Sequence, residues 1–297
     1  MSCRGEQSLD ERERLSGQTS AFKLVAIDID GTLVDSHNRL PARLPPLIRE
    51  VRGRGIEVTL ASGRAKLKVL PLIKELGLTL PYISSGGAYI ADPADHTVIH
   101  YRSLAQPEVV EIVEIARAAK APIIAQEPDH LYYEGSLEVL ERLIAISKMN
   151  ITGVENSEVE IIQVEDILQA CSEPDKITIC GDPANLLEIE EKFRLRKLPL
   201  YMTYSAPTYL EITRSGVNKG EALKWLAAHL AIPMERILVI GDSRNDLSMF
   251  EVAGMAVAMG NASAEVKAAA DLIAPSNDEG GVAWVLRKLA GRKERET

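Results

Sequence analysis

The sequence predicts an α/β protein with a doubly wound, mostly parallel sheet and a smaller α+β domain inserted into it. Two apolar runs, at 24–27 and 237–240, are continuous rather than alternating, which is typical of strands that a parallel sheet buries on both faces. Helical patterns follow both runs, as they do in βαβ units. Between residues 88 and 205 the strand and helix patterns become short and mixed, which indicates a separate domain of another class.

The composition limits the kinds of protein and partner that are consistent with this sequence. A chain of 297 residues, 46% of them hydrophobic, is long enough to bury the core of one large domain or of two ordinary ones. The formal net charge of −9, from 34 basic and 43 acidic residues, argues against a nucleic-acid or anionic-membrane partner. Three cysteines without metal or disulfide spacing, and no apolar stretch of about 18 residues, favour a cytoplasmic protein.

The first part of the predicted core covers residues 22–87 and follows a polar segment, 1–21, that is expected to be a disordered tail. Pro41 near the start of the first helix and Gly77 after the second one are typical helix end signals. After the first strand, the patterns predict a helix over 41–54, a strand over 56–60, a helix over 65–76 and a strand over 82–84.

The predicted insertion covers residues 88–205, and the second part of the core covers 206–290, before a polar C-terminal tail at 291–297. In the insertion, strands are expected at 97–101, 123–126, 131–133, 177–180 and 200–204, and helices at 107–120, 137–146 and 184–194. In the second part of the core, strands are expected at 209–212 and 255–259, and helices at 219–230, 247–252, 264–270 and 282–289.

Acidic residues follow each of the two buried strands directly. Asp28 and Asp30, with Gly31 behind them, follow the first strand, and Asp242 and Asp246 follow the second one. Because ligands bind outside the carboxyl ends of parallel strands, these carboxylates are expected to converge in one pocket. Crowded carboxylates repel each other unless a cation lies between them, and Mg²⁺ prefers such oxygen ligands. Aspartate is also a nucleophile that can form an acyl phosphate.

Two further elements have both an ordinary and a functional interpretation. Ser62 and Gly63 lie between a strand and a helix, where a hydroxyl and free N–H groups bind phosphate oxygens, although Ser-Gly is also common there as a cap and turn. Lys219 is expected at the start of a helix, where the helix dipole disfavours a cation, so an anion should lie nearby. The ordinary alternative is a solvated surface lysine. Acids after strands are likewise common helix caps, and only the combination of elements favours a catalytic site.

Taken in order, four short segments resemble the motifs of the haloacid dehalogenase superfamily of phosphatases. They are DIDGTL at 28–33, ASGR at 61–64, NKG at 218–220 and GDSRND at 241–246. The insertion between the second and third segments is similar to the type IIB cap of that superfamily, and the segments at 256–262 and 278–282 are similar to its Cof-type subfamily. The resemblance extends over residues 22–290 and implies a Rossmann-like core with an α+β cap.

The resemblance also implies roles in catalysis and metal binding. Asp28 would be the nucleophile, Asp30 the general acid and then the general base, and Lys219 the balancing cation. The Mg²⁺ ligands would be Asp28, the main-chain carbonyl of Asp30, and Asp242. These roles describe a phosphomonoester hydrolase that acts through an aspartyl-phosphate intermediate.

The phosphate group would be bound by the loops around the nucleophile, through Gly31, Ser62, Gly63 and Asn245. Asp246 would support these residues from a position behind them. Ser62 stands where the superfamily more often has threonine, and the change keeps the hydroxyl.

The implied substrate is a small phosphorylated metabolite, with sugar phosphates as the first expectation. A phosphosugar mutase-like phosphoryl transferase and a non-catalytic phosphometabolite-binding protein are the alternatives. Gly86 stands where the superfamily commonly has asparagine before Gly-Ala, so one polar contact to the substrate or to the cap hinge is expected to be missing. Neither the physiological substrate nor the oligomeric state follows from the sequence.

Overall fold

A computed structural model describes residues 22–95, 97–141 and 161–292 of the chain. The predicted N-terminal tail, 1–21, lies outside the described residues, as do positions 293–297 of the predicted C-terminal tail. Residues 137–141 are helical, and the remainder of the helix that the sequence predicts over 137–146 lies outside the described residues.

The regular elements follow the predicted order closely. The strands are β1 (Leu24–Ile27), β2 (Glu57–Leu60), β3 (Tyr82–Ser84), β4 (Tyr89–Ala91), β5 (Val98–Tyr101), β6 (Ile123–Gln126), β7 (Leu131–Glu134), β8 (Ile161–Gln163), β9 (Lys176–Cys180), β10 (Leu200–Ala206), β11 (Tyr209–Arg214), β12 (Ile237–Gly241), β13 (Met255–Ala258) and β14 (Leu272–Ile273). The α-helices are α1 (Leu44–Arg52), α2 (Lys66–Leu76), α3 (Gln106–Ala118), α4 (Ile167–Ala170), α5 (Pro183–Leu195), α6 (Lys219–His229), α7 (Leu247–Phe250), α8 (Ala264–Ala268) and α9 (Gly281–Leu289). Among the described residues, no helix has the length and apolar character that crossing a bilayer requires.

A five-stranded parallel sheet in the order β14-β13-β12-β1-β2 forms the core. Val25 and Ile27 of β1, which lies between β12 and β2, pack on one face, against α1, α2 and α9. Leu24 and Ala26 pack on the other face, against α6, α7 and α8. Burial of an aliphatic side chain of the size of Val or Leu contributes about 2 kcal/mol to stability. Burial on both faces explains the continuous apolar runs, and the predicted doubly wound sheet is confirmed.

A second sheet, here called the cap sheet, has six strands in the order β10-β11-β9-β6-β7-β8. Its pairs are antiparallel except for β7 with β8. Alternate residues, such as Ile177 and Ile179 of β9 and Leu210 and Ile212 of β11, are buried in the apolar cluster under α3, α4 and α5. The cap sheet and these helices form the α+β cap region, which confirms the predicted fold class.

Two segments belong to other sheets than the sequence predicts. The strand β11 pairs with β9 and β10 in the cap sheet, which corrects its assignment to the core segment 206–290. The strands β4 and β5 pair with β3 in a three-stranded antiparallel sheet, which corrects their assignment to the insertion 88–205. A parallel bridge between Ala61 and Ile83 links this small sheet to the edge of the core sheet. A local apolar pattern predicts that a strand exists but does not identify its pairing partner.

Polar side chains join the cap region to the core next to β2 and β3. Lys66 of α2 forms an ion pair at 2.7 Å with Asp129 in the turn between β6 and β7. Gln126 of β6 donates from Nε2 to Oγ of Ser85, directly after β3, at 2.7 Å. The cap sheet therefore lies over the carboxyl ends of the core strands, where β1 also ends.

Candidate active site

The predicted acidic residues meet at one edge of the core sheet. Asp28 follows β1 directly, and its N–H donates to the carbonyl of Ile240 in β12 at 3.0 Å. Because β1 and β12 are parallel neighbours, Asp28 and Asp242 leave the sheet at the same edge. The Asp28 residue is buried, with 4% of its surface exposed. The predicted convergence of the two motifs is therefore present.

A tight turn at Ile29–Leu33 brings the chain after Asp28 against Asp242. Gly31 has a φ of 76°, in the left-handed region, and a Cβ at this position would overlap the carboxylate of Asp242. Thr32 donates from Oγ1 to Oδ1 of Asp242 at 2.9 Å. The approach of the two loops thus requires glycine at position 31, and Thr32 orients the carboxylate of Asp242.

Lys219 lies between the acidic residues of the two loops. Its Nζ donates to Oδ1 of Asp28 and to Oδ1 of Asp246, at 2.6 Å in each case, and 1% of its side chain is exposed. Burial favours the neutral amine, but the charges of Asp246 and Asp28 outweigh this effect and raise the pKa of Lys219 above its usual value. The anion expected near this helix N-terminus is present, and the solvated alternative for Lys219 is excluded.

Asp246 holds the loop after β12 together. It is fully buried, and its Oδ2 accepts hydrogen bonds from the N–H groups of Asp242 at 2.9 Å and of Ser243 at 3.0 Å. Asn245 lies in the same turn, where its Oδ1 accepts a hydrogen bond from Oγ of Ser243 at 2.9 Å. Because Lys219 occupies the other oxygen of Asp246, both of its carboxylate oxygens already have donors.

The carboxyl groups of this cluster are difficult to ionise together. Burial raises the pKa of Asp28 well above its usual value, with a further contribution from the charges of Asp246 and Asp242 and an opposing one from Lys219. Burial and the charge of Asp246 raise the pKa of Asp242 to about 7. The single ammonium group of Lys219 therefore does not offset the negative charge of the three carboxylates.

The donor set of the cluster fits the predicted Mg²⁺. Carboxylate oxygens of Asp28, Asp242 and Asp246 lie within 4.8 Å of one another. Oxygen ligands at this spacing, with surplus negative charge in a buried site, are those that a hard divalent cation prefers. Because both oxygens of Asp246 already accept hydrogen bonds, Asp28 and Asp242 are the better candidate ligands.

Asp30 pairs with an arginine to which the sequence analysis gave no role. Arg64 donates from Nε to Oδ2 of Asp30 at 2.8 Å and from its Nη2 to Oδ1 at 2.5 Å. Desolvation by the surrounding loops would raise the pKa of Asp30, whose side chain is still 61% exposed, but the charge and hydrogen bonds of Arg64 outweigh this effect and lower the pKa. Arg64 is the last residue of the ASGR segment, and its position directly after the predicted phosphate-binding pair was the only signal for a functional role.

The loop at 62–64 is supported by the turn after β3. Ser62 is fully buried, and its Oγ accepts a hydrogen bond from the N–H of Arg64 at 3.1 Å. In the turn, Ser85 donates its N–H to the carbonyl of Arg64 at 2.9 Å, and Gly86 donates its N–H to the carbonyl of Ser62 at 3.0 Å. Gly86 has a φ of 67°, a conformation that glycine and asparagine adopt more readily than other residues. With glycine at position 86, the backbone hydrogen bond to Ser62 is present, but the asparagine side chain that the superfamily commonly has there is missing.

The predicted site residues thus form one cluster with adjoining loops. Asp28, Asp242, Asp246 and Lys219 lie in the cluster itself, and Gly31 contacts it. Asp30 lies beside the cluster, where its carboxylate accepts hydrogen bonds from Arg64. The other predicted phosphate-binding residues lie in the adjoining loops, and they are Ser62, Gly63 and Asn245.

The sequence matches a family model described as haloacid dehalogenase-like hydrolase over residues 25–286. The chain belongs to this haloacid dehalogenase-like hydrolase family. The match includes both acidic motifs, the loop at 62–64 and Lys219, so the residues that form the cluster are those of the family region. The predicted membership in the superfamily is confirmed.

Proteins that are named as phosphatases resemble the chain over nearly their whole length. Phosphatase YwpJ of Bacillus subtilis (strain 168) is 31% identical over 295 residues, which cover 90% of this chain and 100% of the relative. The 5-amino-6-(5-phospho-D-ribitylamino)uracil phosphatase YitU of the same organism is 27% identical over 268 residues, which cover 89% of this chain and 96% of the relative. The solved structure of the HAD subclass IIB sugar phosphatase BT4131 matches with a TM-score of 0.76 and 25% identity, and covers 89% of this chain and 98% of its own. These findings confirm that the chain is a phosphatase of Cof type.

Proposed function

We propose that this phosphatase hydrolyses phosphomonoesters of a small metabolite, in the first place a sugar phosphate, through an aspartyl-phosphate intermediate and with Mg²⁺ as cofactor. The observation that carries the proposal is the buried cluster in which Lys219 holds Asp28 at 2.6 Å, beside Asp242 and Asp246. A sugar phosphatase among the similar structures, and a relative named for a phosphorylated ribityl compound, support a substrate with several hydroxyl groups.

In the first step of the proposed reaction, a carboxylate oxygen of Asp28 attacks phosphorus. Lys219 donates to Oδ1 of Asp28, which leaves Oδ2 to form the new bond to phosphorus. The bond between phosphorus and the ester oxygen breaks, and Asp30 gives a proton to that oxygen, so that an alcohol departs. The ammonium group of Lys219 offsets negative charge at the nucleophile and the phosphoryl group.

In the second step, water replaces Asp28 on phosphorus. Asp30, now ionised, takes a proton from the water as the water oxygen attacks, and the bond from phosphorus to Asp28 breaks. The ester and one water thereby become an alcohol and inorganic phosphate, and Asp30 is protonated again. Arg64 favours the ionised form of Asp30, because its charge and hydrogen bonds lower the pKa that burial would raise, so the pair supports the base role.

The cofactor would be held by Asp28, Asp242 and the main-chain carbonyl of Asp30, and Mg²⁺ bound there offsets the charge of the phosphate oxygens. Thr32 keeps the carboxylate of Asp242 in orientation for this role. The hydroxyl and N–H groups of the adjoining loops would bind the phosphate oxygens, through Gly31, Ser62, Gly63 and Asn245.

Substitution of Asp28 tests the mechanism. We expect Asp28→Asn to lower kcat at least about a thousandfold, because it removes the nucleophile. The measurement is phosphate release from a panel of sugar phosphates and other phosphomonoesters, with Mg²⁺ and after its removal by EDTA. Asp92→Asn, in the turn between β4 and β5, is the matched control and should retain activity. Turnover by the Asp28 variant at the wild-type rate would contradict the mechanism.

The same assay distinguishes the alternatives. Transfer of the phosphoryl group to a second sugar phosphate, without release of inorganic phosphate, would identify a mutase-like transferase. Binding of phosphorylated metabolites without turnover, unchanged by Asp28→Asn, would identify a binding protein. Release of phosphate that requires both Asp28 and Mg²⁺ supports the hydrolase.

We also propose a cytoplasmic location for the enzyme. Cys171 and Cys180 are buried free thiols, and burial raises the pKa of both. Reduced cysteines without a disulfide partner are typical of proteins in a reducing compartment.

A further inference from the structure

A buried ion pair lies where the cap sheet faces the core. Lys176 of β9 donates from Nζ to Oε1 of Glu211, in the neighbouring strand β11, at 2.9 Å. The exposed fractions of the two side chains are 6% and 9%. Ile177 and Ile212, the next residues along each strand, lie in the apolar cluster under the cap helices. Because successive strand residues point to opposite faces, the two charged side chains lie on the face directed at the core.

The ion pair contacts the loop that carries the predicted phosphate-binding residues. Lys176 donates from Nζ to the carbonyl of Gly63 at 2.7 Å, and a Cβ on Gly63 would lie 3.4 Å from Oε2 of Glu211. The next residue after Gly63 is Arg64, which holds Asp30. The pair therefore lies next to the group that protonates the departing oxygen in the proposed reaction.

Stability of the cap region does not account for this pair. Removal of two charges from water is costly, and replacement of a buried ion pair by apolar residues is often neutral or stabilising. The hydrogen-bonding capacity of the pair is also not used up. An ammonium group has three donors, and among the described residues Lys176 uses two of them, while Glu211 accepts the bond from Lys176 at Oε1 and has a second carboxylate oxygen, Oε2.

We propose that Lys176 and Glu211 bind the leaving group of the substrate and select for esters whose leaving group carries hydroxyls near the phosphate. Lys176 donates to one hydroxyl oxygen, and Glu211 accepts a hydrogen bond from the same or the adjacent hydroxyl. This assignment rests on the proposed phosphatase function and names the substrate class within it. A leaving group without hydroxyls would leave both buried charges without new partners, so the pair disfavours it.

The test compares two esters that share the phosphate and differ in the leaving group. Glucose 6-phosphate offers hydroxyls, and phenyl phosphate offers none. The variants are Glu211→Gln, which keeps the shape of the side chain, and Lys176→Met. The matched control is Lys224→Met, which removes an ammonium from an exposed pair with Glu221 on α6. The measured quantity is kcat/KM for each ester with Mg²⁺, and activity on phenyl phosphate also reports that each variant is folded.

We expect Glu211→Gln and Lys176→Met to lower kcat/KM for glucose 6-phosphate about 30-fold, while kcat/KM for phenyl phosphate changes less than about threefold. The control variant should change neither value. An equal fall for both esters, or no change in their ratio, would overturn the subsite and leave the phosphatase function intact. A wild-type enzyme that hydrolyses no ester of the panel with Mg²⁺ would overturn the proposed function itself, and the subsite with it.

Discussion

Asp175 offers a sharp test of the electrostatics at the junction of cap and core. It is fully buried directly before β9, and neither carboxylate oxygen has a hydrogen-bond partner of good geometry among the described residues. Burial raises the pKa of Asp175 to about 7, with a small addition from Glu127. The Ser85 hydroxyl, the charge of Lys176 and the Gln126 amide are close enough to oppose the shift, but they do not outweigh burial.

The raised pKa means that the folded state binds this proton more tightly than the unfolded state does. The stability that comes from the proton is fully present below the unfolded pKa of 3.8 and is lost as the pH rises through about 7. One pKa unit corresponds to about 1.4 kcal/mol. Between pH 5 and pH 8, wild type should therefore lose about 2.5 kcal/mol of stability through Asp175.

In the Asp175→Asn variant, the side chain at position 175 is neutral at every pH, so the variant should not lose this stability as the pH rises. We expect its Tm to rise relative to wild type by about 4 °C as the pH goes from 5 to 8, from an unfolding entropy of about 2.1 cal/mol/K per residue. Thermal unfolding followed by circular dichroism at pH 5, 6, 7 and 8 measures the difference. Glu173→Gln neutralises an exposed acid two positions away and is the control. A difference between Asp175→Asn and wild type that does not change with pH would refute the reasoning.

Two other predictions concern the site itself. Arg64→Met should raise the pKa of Asp30, so that the acid of the first step stays protonated to higher pH and the basic limb of the kcat/KM profile moves upward. The exposed Arg39→Met is the control, and an unmoved basic limb would exclude this role for Arg64. Thr32→Val removes the hydrogen bond that orients Asp242 and should raise the Mg²⁺ concentration for half-maximal activity at least about tenfold, and an unchanged Mg²⁺ dependence would contradict this.

The core of the fold was predictable because its strands satisfy a local rule. In β1, Val25 and Leu24 face opposite layers of helices, so each position of the strand requires an apolar residue, and the run is continuous. In the cap region, β6 was predicted with its observed limits, 123–126. The short elements β8 and α4 were missed because three or four residues show no clear period.

The acidic cluster was predictable for a geometric reason. The carboxyl ends of adjacent parallel strands meet at one edge, so acids directly after two such strands must be neighbours, however distant they are in sequence. The same argument does not predict the position of Arg64, which contacts Asp30 because the chain after β2 turns toward the loop after β1. It also does not predict the sheet to which β11 belongs. The apolar pattern of that strand would be the same in either sheet, and its pairing with β9 places it in the cap sheet.

Local sequence patterns predict the wrong environment for the charged residues inside the strands of the cap sheet. A strand covered by helices on one face has a second face that is expected to be solvated, and Lys176 and Glu211 fit that expectation by residue type. The core covers that second face, so both charges are buried, and the carboxylate of the neighbouring Asp175 is buried without a hydrogen-bond donor of good geometry among the described residues. Departures from local rules are expected where function requires them. The inferences about the Lys176–Glu211 pair and about Asp175 can be tested separately. Substitution of the ion pair is expected to change the ratio of kcat/KM between two esters, whereas substitution of Asp175 is expected to change the dependence of Tm on pH. A result in one assay therefore leaves the other inference standing on its own contacts.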